Sequence, residues 1–184
     1  MDLADKNERN CFQGVPLSTH MIINDDQLLN LISAGMICNV CDPSVQVTPN
    51  GIDLTVKKIE SFCDRGYVDF TNEHRKLPPS TPIPFQDGWA HLEQGAYKVT
   101  FNEILSIPHD MIALARPRSS LLRSGASVES AVWDAGFHGV SISLLVVYNI
   151  HGISIQENAR ILQLFFVKLG EKARNLYNGI YQQK

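Results

Sequence analysis

The sequence predicts a mostly β protein that opens on one short helix. Three observations carry that expectation: a single well-capped amphipathic stretch near residue 24, a series of short strand-like runs broken by turn residues after it, and no internal repeat or linker across the 184 residues. At 44% hydrophobic and 19% charged, the chain can bury a sizeable core and is too apolar to stay disordered. A single domain over 1–184 follows, with residues 1–20 as an N-terminal extension and 171–184 as a C-terminal arm.

The helix is predicted from its start signals. Asn24 can cap it, Gln27 can reach back as the partner of a capping box, and Ile23 and Leu28 are spaced as a hydrophobic staple. Leu28, Leu31 and Ile32 then form an apolar stripe, and Gly35 is a natural stop. The following runs, at 51–59, 97–101, 111–115, 140–147 and 161–167, are rich in β-branched and aromatic residues. Within the fourth, the alternation places Val140, Ile142 and Leu144 on one strand face. The proline-rich stretch from Leu77 to Pro84 is a surface connection.

Composition narrows the function classes. No transmembrane run appears, Met1 to Asn10 is polar rather than a leader peptide, and the four cysteines are expected as reduced thiols of a cytoplasmic enzyme. The net charge of −3 argues against nucleic acid as a partner. Any attraction for a polyanion has to come from a local cluster, and one is present around Arg116, Arg118 and Arg123.

That cluster carries the chemistry. Arg118 and Arg123 offer forked donors that match phosphate oxygens two at a time, and Ser119 and Ser120 add short neutral donors beside them. Further on, Asp134 precedes Ala-Gly and Phe137, so its carboxylate is expected in a tight turn where Gly136 supplies backbone freedom. Such a carboxylate can orient and deprotonate a water. Alone, an Arg-Ser-Ser segment also reads as a solvated loop and Asp-Ala-Gly as an ordinary turn; together they point to an enzyme acting on a nucleotide.

Arg118-Ser119-Ser120-Leu121 and Asp134-Ala-Gly-Phe137-His-Gly139 resemble the second and third motifs of the trimeric dUTPase and dCTP deaminase superfamily. Gly51-Ile52-Asp53-Leu54 is similar to its first motif, and Asn158 to Leu164, containing Arg160 and Gln163, to its fourth. The segment Ala173 to Gln182 is similar to the tail of archaeal-type dUTPases, although the family continues beyond Tyr-Gln where this sequence stops at Lys184. The resemblance implies a distorted jelly roll of the β-clip kind, a homotrimer, and Mg²⁺ bound mainly through the substrate triphosphate, with no metal ligand predicted directly on the protein.

It also implies roles. Asp134 would be the base that activates water for attack on the α-phosphorus of dUTP, giving dUMP and pyrophosphate, and Arg123 would orient the pyrimidine or its water. Arg118, Ser119, Ser120 and Gln163 would contact the triphosphate, Phe137 would lie under the deoxyribose, and either the arm is shorter than in the family or Tyr181 and Gln182 alone close the site. Asp53 and Arg160 either hold waters of the metal or form a structural ion pair. The pyrimidine would be read by the backbone of a hairpin over 128–133, with Trp133 reshaping the pocket or filling the core.

The deaminase branch places a proton-shuttling glutamate where this chain has Leu144, which cannot exchange a proton. Hydrolysis is therefore the expected activity. The alternatives are a dCTP deaminase whose shuttle has moved, for instance to Glu129, and a non-catalytic nucleotide-binding relative. Zinc-dependent deamination lacks its signature: Cys38 and Cys41 have pair spacing, but Ile37 rather than Pro precedes them, His91-Leu92-Glu93 comes after the pair instead of before it, and neither Cys11 nor Cys63 belongs to a second pair.

Overall fold

The computed structural model describes residues 21–183, so the expected extension over 1–20, with Cys11, and Lys184 lie outside the described residues. The first element is the expected helix, α1 (Asp25–Ser33). Both halves of its capping box are made: Gln27 N donates to Asn24 Oδ1 at 3.1 Å and Asn24 N donates to Gln27 Oε1 at 3.2 Å. Gly35, at φ +72°, ends it in the left-handed conformation glycine tolerates best.

The rest is β-rich. In chain order come β1 (Ile37–Cys38), α2 (Pro43–Gln46), β2 (Val47–Thr48), β3 (Gly51–Phe62), β4 (Ser80–Ile83), β5 (Trp89–Leu92), β6 (Gly95–Ser106) and β7 (Met111–Pro117). Then follow α3 (Ser119–Arg123), β8 (Ala126–Glu129), β9 (His138–Val147), β10 (Ile153–Gln156) and β11 (Arg160–Lys168). The main sheet runs β7-β11-β3-β6-β9-β8, with β1 on β6 and β2 and β4 on β3, while β5 and β10 form a separate pair. Every pairing is antiparallel.

Trp133 and Ala113 exchange backbone hydrogen bonds of 2.9 and 3.0 Å, which ties β7 at one end of the sheet to the segment after β8 at the other and curls the sheet towards a barrel. The core inside it is built from Phe101, Phe166, Ile52, Leu54, Leu105, Leu145, Leu162 and Leu164, all fully buried. The mostly β, jelly-roll-like expectation matches this architecture. Among the described residues, no helix is long and apolar enough to cross a membrane.

Several elements depart from the sequence reading. The run at 97–101 is the middle of the longer β6, the short strands β4, β5, β8 and β10 have little apolar periodicity to announce them, and Ser119–Arg123 is a helical turn rather than a loop. Residues 128–133 are the end of β8 and the first part of the connection to β9, its antiparallel partner. In β9 the alternation holds, but its serines face inwards: Ser141 and Ser143 are buried, whereas Ile142 and Leu144 are exposed. Trp133 explains part of this, because its buried indole Nε1 donates to Ser141 Oγ at 2.8 Å.

Candidate active site

Strand register brings three of the four motif segments side by side. On β11, Gln163 faces Asp53 of β3 on one side and Arg116 of β7 on the other. Asp53 is 2% exposed, and one oxygen takes both cations: Arg118 Nε lies 2.9 Å and Arg160 Nη1 3.3 Å from Asp53 Oδ2. Burial pushes the Asp53 carboxyl above its usual range, and the two guanidiniums pull it back only in part. Arg118 is pinned further, its Nη1 donating to Arg160 O at 3.2 Å and its backbone N to Ile161 O at 3.0 Å. Arg160 Nη1 also donates to Val45 O at 2.5 Å, in α2. Asp53 thus acts as the shared anchor of two arginines, which is the structural side of the choice left open by the sequence.

Beside this cluster, the backbone of Arg118 leads into α3, and Ser119, Ser120 and Arg123 are exposed on it. Gln163 Nε2 donates to Thr48 Oγ1 at 2.6 Å. Gly51 has to be glycine, since a Cβ there would stand 2.6 Å from Leu164 O on the neighbouring strand.

Asp134 sits elsewhere. It opens a turn in which Phe137 N donates to Asp134 O at 3.0 Å and Gly136 adopts φ +84°. Its carboxylate is exposed and has no hydrogen-bond or ion-pair partner among the described residues. Trp133, just before it, pairs with Ala113 of β7; Arg118 lies five residues further along, about 16 Å of extended chain. Within one chain, then, Asp53, Arg118, Arg160 and Gln163 gather, while Asp134 and Phe137 stand apart.

The arm folds back onto that turn. Tyr177 N donates to Ala135 O at 2.9 Å, and the Tyr177 ring meets Phe137 edge-on with centroids 5.5 Å apart. Phe137 is buried, 8% exposed, under this contact. Gln182 clasps the turn with both ends of its amide: Nε2 donates to Gly136 O at 3.1 Å, and Oε1 accepts from His138 N at 3.1 Å. Tyr181 remains exposed.

Sequence reasoning missed a polar cluster behind the arginines. Glu103, fully buried, accepts from Thr55 N at 3.0 Å through Oε2, and through Oε1 from Gln46 Nε2 at 2.7 Å and Thr55 Oγ1 at 2.6 Å. Burial nonetheless raises its pKa, more than these bonds lower it. The signal was present: Asn102-Glu103 interrupts an apolar strand between Phe101 and Ile104.

Comparison with known proteins turns this geometry into a family assignment. The sequence pattern of the dCTP deaminase-like family matches residues 22–169. The chain belongs to that family. A Methanosarcina mazei protein named a probable deoxyuridine 5'-triphosphate nucleotidohydrolase is 46% identical over 166 residues, covering 89% of this chain and 97% of the relative. An Archaeoglobus fulgidus protein of the same name is 40% identical over 162 residues, 88% of this chain and 95% of its own. The Methanocaldococcus jannaschii deoxyuridine 5'-triphosphate nucleotidohydrolase is 40% identical over 139 residues, 74% of this chain and 87% of its own. In fold, the 2'-deoxycytidine 5'-triphosphate deaminase of Agrobacterium tumefaciens superposes with a TM-score of 0.63 at 23% identity, covering 80% of this chain and 48% of that one.

Leu144 is 37% exposed on the outer face of β9, and its cross-strand partner is Glu129 of β8, whose Oε1 accepts from Ser127 Oγ at 2.8 Å. Cys38, Cys41 and Cys63 are exposed free thiols. Among the described residues no three His, Cys, Asp or Glu side chains gather as a metal site.

Proposed function

We propose that the protein is a dUTP diphosphatase, hydrolysing dUTP to dUMP and pyrophosphate and so limiting uracil available to DNA synthesis while supplying dUMP. The observation that carries this reading is the near full-length similarity, at 40–46% identity, to relatives named as deoxyuridine 5'-triphosphate nucleotidohydrolases. Leu144 supports it, since an aliphatic side chain cannot move the protons that deamination of cytosine requires.

In this mechanism the exposed carboxylate of Asp134 orients and deprotonates the water that attacks the α-phosphorus. Phosphoryl transfer asks mainly for positioning and charge stabilisation, so the remaining groups bind rather than react. Arg118 presents to the triphosphate the guanidinium edge that Asp53 leaves free, with Ser119, Ser120 and Gln163 alongside. Arg123 orients the pyrimidine, Phe137 backs the deoxyribose with Tyr177 supporting it, and Tyr181 swings over the nucleotide. Mg²⁺ brought in mainly with the substrate triphosphate would supply neutralisation of the charge on the departing pyrophosphate, beside the Arg118 guanidinium. Asp53 and Arg160 serve as scaffold. Because Asp134 and the Arg118 cluster stand apart within one chain, the complete site takes its parts from neighbouring copies in a homotrimer.

A turnover panel with Mg²⁺ and dUTP, dCTP, dTTP and UTP, following pyrophosphate and ammonia separately, tests the reading. Pyrophosphate from dUTP without ammonia from dCTP is expected. One observation favours a second reading: Glu129 lies directly across from Leu144, the separation over which cross-strand side chains interact. Ammonia release from dCTP that disappears in Glu129→Gln would establish a deaminase with a displaced proton shuttle.

A further inference from the structure

Glu103 occupies a place that regular strand pairing would not give it. The β3–β6 register shifts between Val56 and Lys58, the β6–β9 register between Thr100 and Ile104, and the β11–β3 register between Arg160 and Leu162. These irregularities surround Thr55. Two of the three residues of β6 within the Thr100–Ile104 shift turn to it: Asn102 Nδ2 donates to Thr55 Oγ1 at 2.9 Å, and Glu103 receives the Thr55 hydroxyl and backbone N–H. Bulges of this kind re-aim side chains next to functional sites.

The consequence runs outwards through Gln46, itself buried. Gln46 Nε2 donates to Glu103 Oε1 and also to Asp53 O, at 2.9 Å, while Gln46 Oε1 accepts from Asp42 N at 3.0 Å at the start of α2. Val45, one residue earlier in α2, offers the carbonyl that holds Arg160, and Arg160 shares Asp53 Oδ2 with Arg118. Polar contacts therefore form a closed path from Glu103 to Gln46, to α2, to Arg160 and Asp53, and so to the Arg118 guanidinium. A buried carboxylate is a poor device for stability alone, because an apolar residue of similar volume often serves as well without desolvating a charge. What the carboxylate supplies is two oxygens that fix three donors on α2 and β3, the segments whose Val45 carbonyl and Asp53 carboxylate hold the two arginines.

We propose that Glu103 is a positioning residue for triphosphate binding, acting through Gln46, α2 and the Asp53–Arg160 pair to hold the Arg118 guanidinium at a set angle. The proposal rests on Arg118 binding the triphosphate, as in the function argued above.

The test is a double-mutant cycle between Glu103→Gln and Arg118→Ala in the full-length protein, read as the Kd of inorganic tripolyphosphate by calorimetry and as KM and kcat for dUTP. If Glu103 acts through Arg118, Glu103→Gln weakens tripolyphosphate binding and raises KM about tenfold in the wild-type background. In the Arg118→Ala background the same change moves Kd by less than about twofold, because coupled residues are non-additive. Gln46→Met, which keeps volume and leaves the carboxylate in place, should behave in the same way should Glu103→Gln fold poorly. Equal effects in both backgrounds, or a lower Tm with unchanged Kd, would overturn the proposal. Failure of the wild type to bind tripolyphosphate would overturn it too. A non-additive cycle on tripolyphosphate in a protein that does not turn over dUTP would sink the hydrolase reading and leave the positioning role standing.

Discussion

Two aspartates of this chain sit in opposite surroundings. Asp53 is buried on a central strand with two guanidiniums on one oxygen, whereas Asp134 is exposed on a turn with no side-chain partner among the described residues. The difference lies in what each charge is committed to. Asp53's negative charge is neutralised inside the protein and fixes arginines; Asp134's stays open to water and to an incoming phosphate. A buried carboxylate whose oxygen already holds two guanidiniums is not free to take a proton from a water, and an exposed one unconstrained by partners adds little to stability.

The sharpest way to break that contrast is to neutralise each aspartate in turn. Asp134→Asn is expected to lower kcat for dUTP by roughly 10³-fold, within the range attributed to a general base, while leaving nucleotide affinity and Tm nearly unchanged. Pyrophosphate release and calorimetric binding would check both halves, and a large loss of stability would erase the distinction. Asp53→Ala is expected to do the reverse, costing about 3–5 kcal/mol of stability because two arginines lose their buried partner. Urea unfolding measures this.

A smaller effect comes from the residue next to Asp134. Trp133→Phe removes the indole donor from buried Ser141 and should cost about 1–3 kcal/mol in the same unfolding assay, with KM for dUTP unaffected if Trp133 fills the core rather than shaping the pocket.

The smallest effect is a pH dependence. Glu103's pKa is raised in the fold by burial, so the native state binds its proton more tightly than the unfolded chain does. Its contribution to stability is therefore greatest in acid and falls as pH rises from the ordinary glutamate value of 4.5 towards the raised one. Wild type should lose stability relative to Glu103→Gln across that interval, as read by urea unfolding at a series of pH values. A trend in the opposite direction would mean that the three hydrogen bonds to the carboxylate outweigh its burial.

Much of the fold was legible because it is written locally. The Asn24–Gln27 capping box, the Gly35 stop and the alternation of β9 each depend on residues a few positions apart, and all three appear as read. The Asp134–Phe137 turn was legible for the same reason. Strands β4, β5, β8 and β10 were not, since four residues carry too little periodicity and these are selected by their partners. The inward-facing serines of β9 were also hidden, because their burial is made tolerable in part by an indole from another segment.

What the sequence by itself determined is the inventory: a helix and then strands, the motif segments in order, an aspartate held in a glycine turn, and a leucine at position 144. Only the tertiary structure decided who meets whom. Placing β11 between β7 and β3 sets Arg118 and Arg160 on Asp53, and bulges around Thr55 turn Glu103 behind them. The physical reason is that propensity and alternation act within a few residues, whereas an ion pair depends on the register of strands distant in sequence. A slip of one residue in that register would send every side chain to the opposite face.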